Sequence, residues 1–165
     1  MKREGEICME NRLEVLRDHI DRLIIKGGAD KLRVHISHMY GTARFCTMLA
    51  MKRNLDIELA ATCGMLHDIW YMTGGGTTNH AARGAVLAKQ ILNDLSAYRD
   101  DEITVITAAI SRHSDKIAVH ELYDELLKDA DVLDHCLYNA DFPVAEWEKA
   151  RYHALIAEFG LTFVK

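Results

Sequence analysis

Asp56-Ile57-Glu58-Leu59-Ala60-Ala61-Thr62-Cys63-Gly64-Met65-Leu66-His67-Asp68-Ile69 reads as an acidic cap followed by residues that are apolar or small on nearly every helical face. A helix that is hydrophobic all round belongs at the centre of a domain, so this stretch predicts a buried third helix with Asp56 as its N-cap. His67 and Asp68 close that helix. Two polar side chains delivered from an apolar interior need hydrogen bonds, a metal or a helix end that reaches solvent. At this composition roughly one His-Asp pair is expected by chance, so the pair gains meaning only from what surrounds it.

Upstream, Met9, Leu13, Val15, Leu16, Ile20, Leu23 and Ile24 recur at mixed spacings of three and four, which predicts a first amphipathic helix over residues 8–25, ended by Gly27-Gly28. Asp30 is the expected cap of a second helix reaching Asn54, which buries Leu32, Ile36, Met39, Phe45, Cys46 and Leu49 and carries His38. Downstream, a Gly-rich loop over residues 73–79 precedes a helix over residues 80–95, and further helices are expected over 101–112, 120–138 and 144–159, with Gly160 as the last stop signal. Strand-like alternation is confined to scraps such as residues 161–164. With no internal repeat or linker, the expectation is an all-α fold: one compact multi-helix bundle spanning residues 1–165.

Composition agrees and narrows the partners. The chain has 165 residues, 49% of them hydrophobic, and a single proline, Pro143, which favours long uninterrupted helices. A net charge of -5 and a pI near 6.0 argue against coating a nucleic-acid polymer, which needs an excess of clustered Lys and Arg. Cys8, Cys46, Cys63 and Cys136 lack CxxC spacing and read as reduced structural thiols. The charged start MKREGEICMENR lacks a secretory apolar core and no run of about 18 apolar residues exists, so a cytoplasmic protein without a membrane partner is expected. The first helix and the C-terminal Leu155, Ile156, Phe159, Leu161, Phe163 and Val164 could finish the core or form a homodimer surface.

The imidazoles and carboxylates follow an order: His38-x-x-x-Thr42-Ala43, Leu66-His67-Asp68-Ile69, His80-x-x-x-Gly84-Ala85, Ile110-x-x-His113, and Asp129-Ala130-Asp131-x-Leu133-Asp134. Neutral imidazole with carboxylate suits iron, manganese, zinc and similar ions. The order and flanks over roughly residues 30–140 resemble the HD-domain metal-dependent phosphohydrolase superfamily in its H, HD, H, H, D form. That resemblance implies that His38, His67, Asp68 and Asp131 hold one divalent metal. It also implies that Asp68 bridges to a second ion completed by His80 and His113, the ions being Fe, Mn, Mg, Co, Ni or Zn. One departure stands out: the family often continues HD-Ile-Gly-Lys, whereas this chain has Ile69-Trp70-Tyr71, so the phosphate-associated lysine is missing there.

Arg83, Arg112 and Lys116 lie within three residues of His80 or His113 and are the expected contacts to a small phosphorylated, nucleotide-like substrate. The other reading of each is a solvated helix cation. Trp70 and Tyr71 could stack on a ring of the substrate or pack at the rim. His35 is expected as a polar neighbour of the site, Asp129 and Asp134 as groups that orient ligands or face water, and His19, His120, His135 and His153 as surface or structural histidines. The leading expectation is hydrolysis of a phosphoester or phosphoanhydride through a metal-activated water, with Asp68 orienting it. The alternatives are a di-iron oxygenase built on the same ligands and a non-catalytic metal-binding or sensing helical domain.

Overall fold

In a computed structural model of the chain, which describes residues 11–26, 32–139 and 141–162, every element among the described residues is an α-helix. They run α1 (Arg12–Lys26), α2 (Leu32–Arg53), α3 (Ile57–Leu66), α4 (Ile69–Met72), α5 (His80–Leu95), α6 (Asp100–Arg112), α7 (Leu122–Tyr138) and α8 (Lys149–Glu158). The expected cap Asp30, the stop Gly27-Gly28, Cys8, Met9, Phe163 and Val164 lie outside the described residues.

α3 is the axis of the fold. Asp56 caps it, its carboxylate accepting from the Glu58 and Leu59 N–H groups at 2.9 Å, and every residue from Leu59 to Leu66 is buried. α1, α2, α6 and α7 all pack on it. Gly64 permits a close approach of α2: a Cβ there would stand 2.6 Å from the Ala43 Cα. The core is filled by Met39, Cys46 and Leu49 of α2, Met65 and Leu66 of α3, Leu92 of α5, Ile106 and Ile110 of α6, and Leu126, Leu127 and Leu133 of α7. Leu16, Ile20 and Ile24 finish that core from α1, and Leu155 and Ile156 finish it from α8. Cys46, Cys63 and Cys136 are free and buried, and burial pushes the Cys46 and Cys63 thiols up. Among the described residues no helix is long and apolar enough to cross a membrane.

Two ionic clusters tie the ends together. Arg12 of α1 reaches Glu58 (2.7 Å) and Glu102 (3.0 Å) while its guanidinium covers the Tyr98 ring. On the other side Lys128, wholly buried in α7, donates to the Ala118 carbonyl (2.7 Å), His120 Nδ1 (2.7 Å) and Glu125 (2.8 Å), and Glu125 also receives Arg151 of α8 at 2.9 Å. Burial works against the Glu125 carboxylate, but Lys128, Arg151 and the His120 N–H overcome it and bring its pKa down from 4.5 to about 2. A depressed carboxyl stabilises the fold fully above its unfolded pKa, and that stabilisation is lost as pH falls towards the folded one. The melting temperatures of wild type and Glu125→Gln should therefore differ most above about pH 5 and converge towards pH 2. A gap independent of pH would place the loss in packing instead of charge.

The last helix starts at Lys149, later than the 144 that periodicity suggests. Residues 145–148 close a turn instead, Glu148 N–H donating to the Ala145 carbonyl at 2.9 Å. The buried helix also ends differently. His67 keeps helical angles, Asp68 leaves them (φ -109°, ψ 17°), and α4 begins at Ile69. Neighbours on a regular helix point about 100° apart, and this break lets both His67 and Asp68 reach one centre.

Candidate metal centre

Helix ends and two helix faces converge at the centre. His38 comes from the middle of α2, His67 from the C-terminus of α3, His80 from the first position of α5, His113 from the C-terminus of α6, and Asp131 from the middle of α7. Their rings form a file with His135: centroids are 4.9 Å apart for His135–His38 and His38–His67, 5.1 Å for His67–His113 and 5.0 Å for His113–His80.

Each ring is held by its Nδ1. His67 Nδ1 bonds the Gly64 carbonyl at 2.8 Å, His113 Nδ1 the Ile110 carbonyl at 2.7 Å, and His80 Nδ1 the Thr77 carbonyl at 3.1 Å. His38 Nδ1 bonds the Asp134 carboxylate at 2.7 Å. Carbonyls and carboxylates only accept, so the Nδ1 atoms donate, and in the neutral rings the Nε2 lone pairs are left to face inward. They face one another: His38 and His67 Nε2 are 3.0 Å apart, and His80 and His113 Nε2 3.2 Å. Between the pairs stands Asp68. Its Oδ1 is 3.4 Å from His80 and His113 Nε2, and its Oδ2 is 3.6 Å from His67 and 3.8 Å from His38. Asp131 Oδ1 approaches His38 at 3.3 Å and His67 at 3.7 Å.

These residues fit a divalent cation on their own chemistry. Asp68 Oδ1 and Asp131 Oδ1 are both buried without a hydrogen-bond partner. Opposed lone pairs and unsatisfied carboxylate oxygens in one buried pocket are costly unless something positive lies between them. Among the described residues, the groups that could hold an ion are His38 with His67 and Asp68, His67 with His113 and Asp131, Asp68 with His80 and His113, and His38 with Asp131 and His135. Burial alone would raise the carboxyls. The imidazoles, with Lys116 beside Asp131, keep both well below the ordinary range and hence ionised. Burial also opposes charge on His38, but the Asp131 and Asp134 carboxylates carry it from 6.5 to about 10, whereas burial takes His67 down to about 4 despite Asp68 and Asp131.

A model of the HD domain matches residues 35–136 of this chain. The chain belongs to the HD-domain family. HD domains bind divalent metals and are generally metal-dependent phosphohydrolases, which agrees with the donor set. The fold is similar to the crystal structure, at 1.45 Å resolution, of a predicted HD superfamily hydrolase from an uncultured Thermotogales bacterium. The two are 23% identical with a TM-score of 0.60, over 87% of this chain and 88% of that one. No curated protein matches the chain.

The residues around the HD centre divide into two cavities that share Asp68 and His135. One, about 340 Å³, is lined by Val34, His35, His38, Tyr71, Met72, Asp134 and Tyr138, with the His35 and Tyr71 rings 5.2 Å apart. The other, about 370 Å³, is lined by His80, His113, Ser114, Lys116, Asp131 and Glu148 together with Ile117 and Trp147. Of the three basic residues expected at the substrate, Lys116 lines this cavity and is bonded to Asp131. Arg83 lies over the Trp70 ring, 5.1 Å from its centroid, and Arg112 is paired with Asp124 at 2.7 Å. Asp129 is turned to Arg53 and Arg151, on the far side of α7 from the ligands' business, whereas Asp134 orients His38. His135 also lines both cavities. Expected at the surface or in a structural role, it stands one helical turn after Asp131, on the same α7 face as Asp134; the i, i+3, i+4 spacing of Asp131, Asp134 and His135 was its signal.

Proposed function

We propose that this HD domain is a phosphohydrolase that cleaves a phosphoester or phosphoanhydride of a small, nucleotide-like substrate, with His38, His67, Asp68, His80, His113 and Asp131 as its metal ligands. The observation that carries this reading is Asp68, whose two carboxylate oxygens face two separate pairs of Nε2 atoms. A divalent cation bound there supplies Lewis acidity, acidifying water and screening charge on the phosphoryl oxygens. Lys116, paired with Asp131 at the edge of the second cavity, brings an ammonium to where a phosphate would sit. Arg83, stacked on the Trp70 ring next in sequence to Tyr71, is the cation we assign to a second phosphate. Tyr71, Met72 and Tyr138 offer the ring or apolar part of the substrate a surface in the neighbouring cavity, where aromatic faces favour a planar group.

The test is phosphate release by protein stripped with chelator and reloaded separately with Mn, Fe, Co, Ni, Mg or Zn, assayed on nucleoside mono-, di- and triphosphates and on simple phosphomonoesters. Turnover that requires reloading is expected, with a preference for substrates bearing a ring. Metal binding without phosphate release from any of them would leave the di-iron oxygenase or a sensing or structural domain in its place.

A further inference from the structure

His135 and Glu148 have no part in the set of six, yet they repeat its construction. Each of the other imidazoles has its Nδ1 fixed by an oxygen and its Nε2 turned to a buried carboxylate or a second ring. His135 does the same: Nδ1 is 3.0 Å from Glu148 Oε1, and Nε2 is 3.4 Å from Asp131 Oδ1. That oxygen is the buried one left without a hydrogen bond, and His38 Nε2 approaches it at 3.3 Å. The His38 and His135 rings are nearly parallel, 7° apart, so two imidazole edges are presented to one carboxylate oxygen. Glu148 is itself buried, and the turn before α8 aims its carboxylate at His135 in place of a further helical turn.

We propose that His135 is a fifth imidazole ligand of the metal centre, oriented for that task by Glu148. The proposal rests on the metal-centre reading above and extends it. A carboxylate behind a ligating imidazole fixes its tautomer and raises its basicity, and loss of such a partner typically weakens metal binding about 10–100-fold. His135 is about half exposed while the other four rings are more covered, and it lines both cavities, so it closes the shell from the solvent side. Its position makes the ion beside Asp131 richer in nitrogen than the one beside His80, three imidazoles against two, and this favours borderline metals such as Fe, Co, Ni or Zn over Mg there.

Calorimetric titration of Co(II) into stripped protein, with the visible Co(II) spectrum recorded in parallel, tests this without recourse to activity. His135→Ala and His135→Gln should each weaken one Co(II) equivalent by about 100-fold or more and alter the band intensity, and Glu148→Gln should shift both in the same direction by about 10–100-fold. His67→Ala serves as the reference. If both His135 variants overlay wild type in isotherm and spectrum while His67→Ala does not, His135 is only a bridge between Asp131 and Glu148 and the proposal falls, the metal centre standing. If His67→Ala also overlays wild type, the metal-centre reading falls and takes the fifth ligand with it.

Discussion

Asp68→Asn should empty the centre: after dialysis the variant retains little metal, and phosphate release drops to background. The substitution keeps the size of the side chain but removes its charge and turns one acceptor into a donor. Asp68 is the group both nitrogen pairs share, with Oδ1 at 3.4 Å from His80 and His113 and Oδ2 at 3.6 Å from His67. An amide can accept from one side only, and its N–H₂ on the other would point at nitrogens already competing for a proton. Loss of a group that merely orients a ligand costs about 10–100-fold in affinity, so loss of a carboxylate facing both pairs should cost at least about 100-fold. Elemental analysis of wild type and variant, prepared side by side and with matching circular dichroism, checks the metal, and a phosphate-release assay checks the turnover. Wild-type metal content and activity in the variant would remove Asp68 from the centre.

The second large effect belongs to Gly64→Ala. On an isolated helix alanine is the better residue by about 1 kcal/mol. Here its Cβ would meet the backbone of α2, at 2.6 Å from Ala43 Cα and 2.8 Å from Ala43 N, and Cys46 Sγ at 3.1 Å. Backbone cannot rotate aside, so α2 and α3 must part, and overpacking of this kind costs about 1–3 kcal/mol. At about 2–4 °C per kcal/mol for a chain of this size, a fall of roughly 2–12 °C in Tm is expected. The site should suffer with the fold, because His67 follows on α3 and takes its orientation from the Gly64 carbonyl, while His38 rides on α2. A Tm that rises would mean the two helices are not pressed together at this point.

What the sequence made legible was decided by periodicity and by order. The all-apolar stretch from Leu59 to Leu66 announced its own burial, and the extents of α5 and α6 follow from patterns that packing had no reason to override. The convergence of His38, His67, Asp68, His80, His113 and Asp131 was legible from the order of short signatures, which the HD-domain match now explains for residues 35–136. Tertiary events were not legible. The break after His67 depends on Asp68 leaving helical angles, and the late start of α8 depends on a turn that sends Glu148 to His135. The pairing of Arg112 with Asp124 and the stacking of Arg83 on Trp70 are also settled by neighbours distant in sequence or on another helix. Spacing from a histidine could nominate those cations, but only packing assigns their partners.

The two ways in which the rings are anchored imply unequal freedom to drift over generations. His67, His113 and His80 lean on carbonyls of Gly64, Ile110 and Thr77, atoms that every amino acid supplies, so exchange at Ile110 or Thr77 leaves the anchor itself in place. His38 and His135 lean on the side chains of Asp134 and Glu148, which a single codon change can delete. Natural variation in ion preference among close descendants of this chain should therefore enter from the α7 and α8 side, where orientation is written in replaceable groups, before it reaches the side where the main chain itself holds the rings.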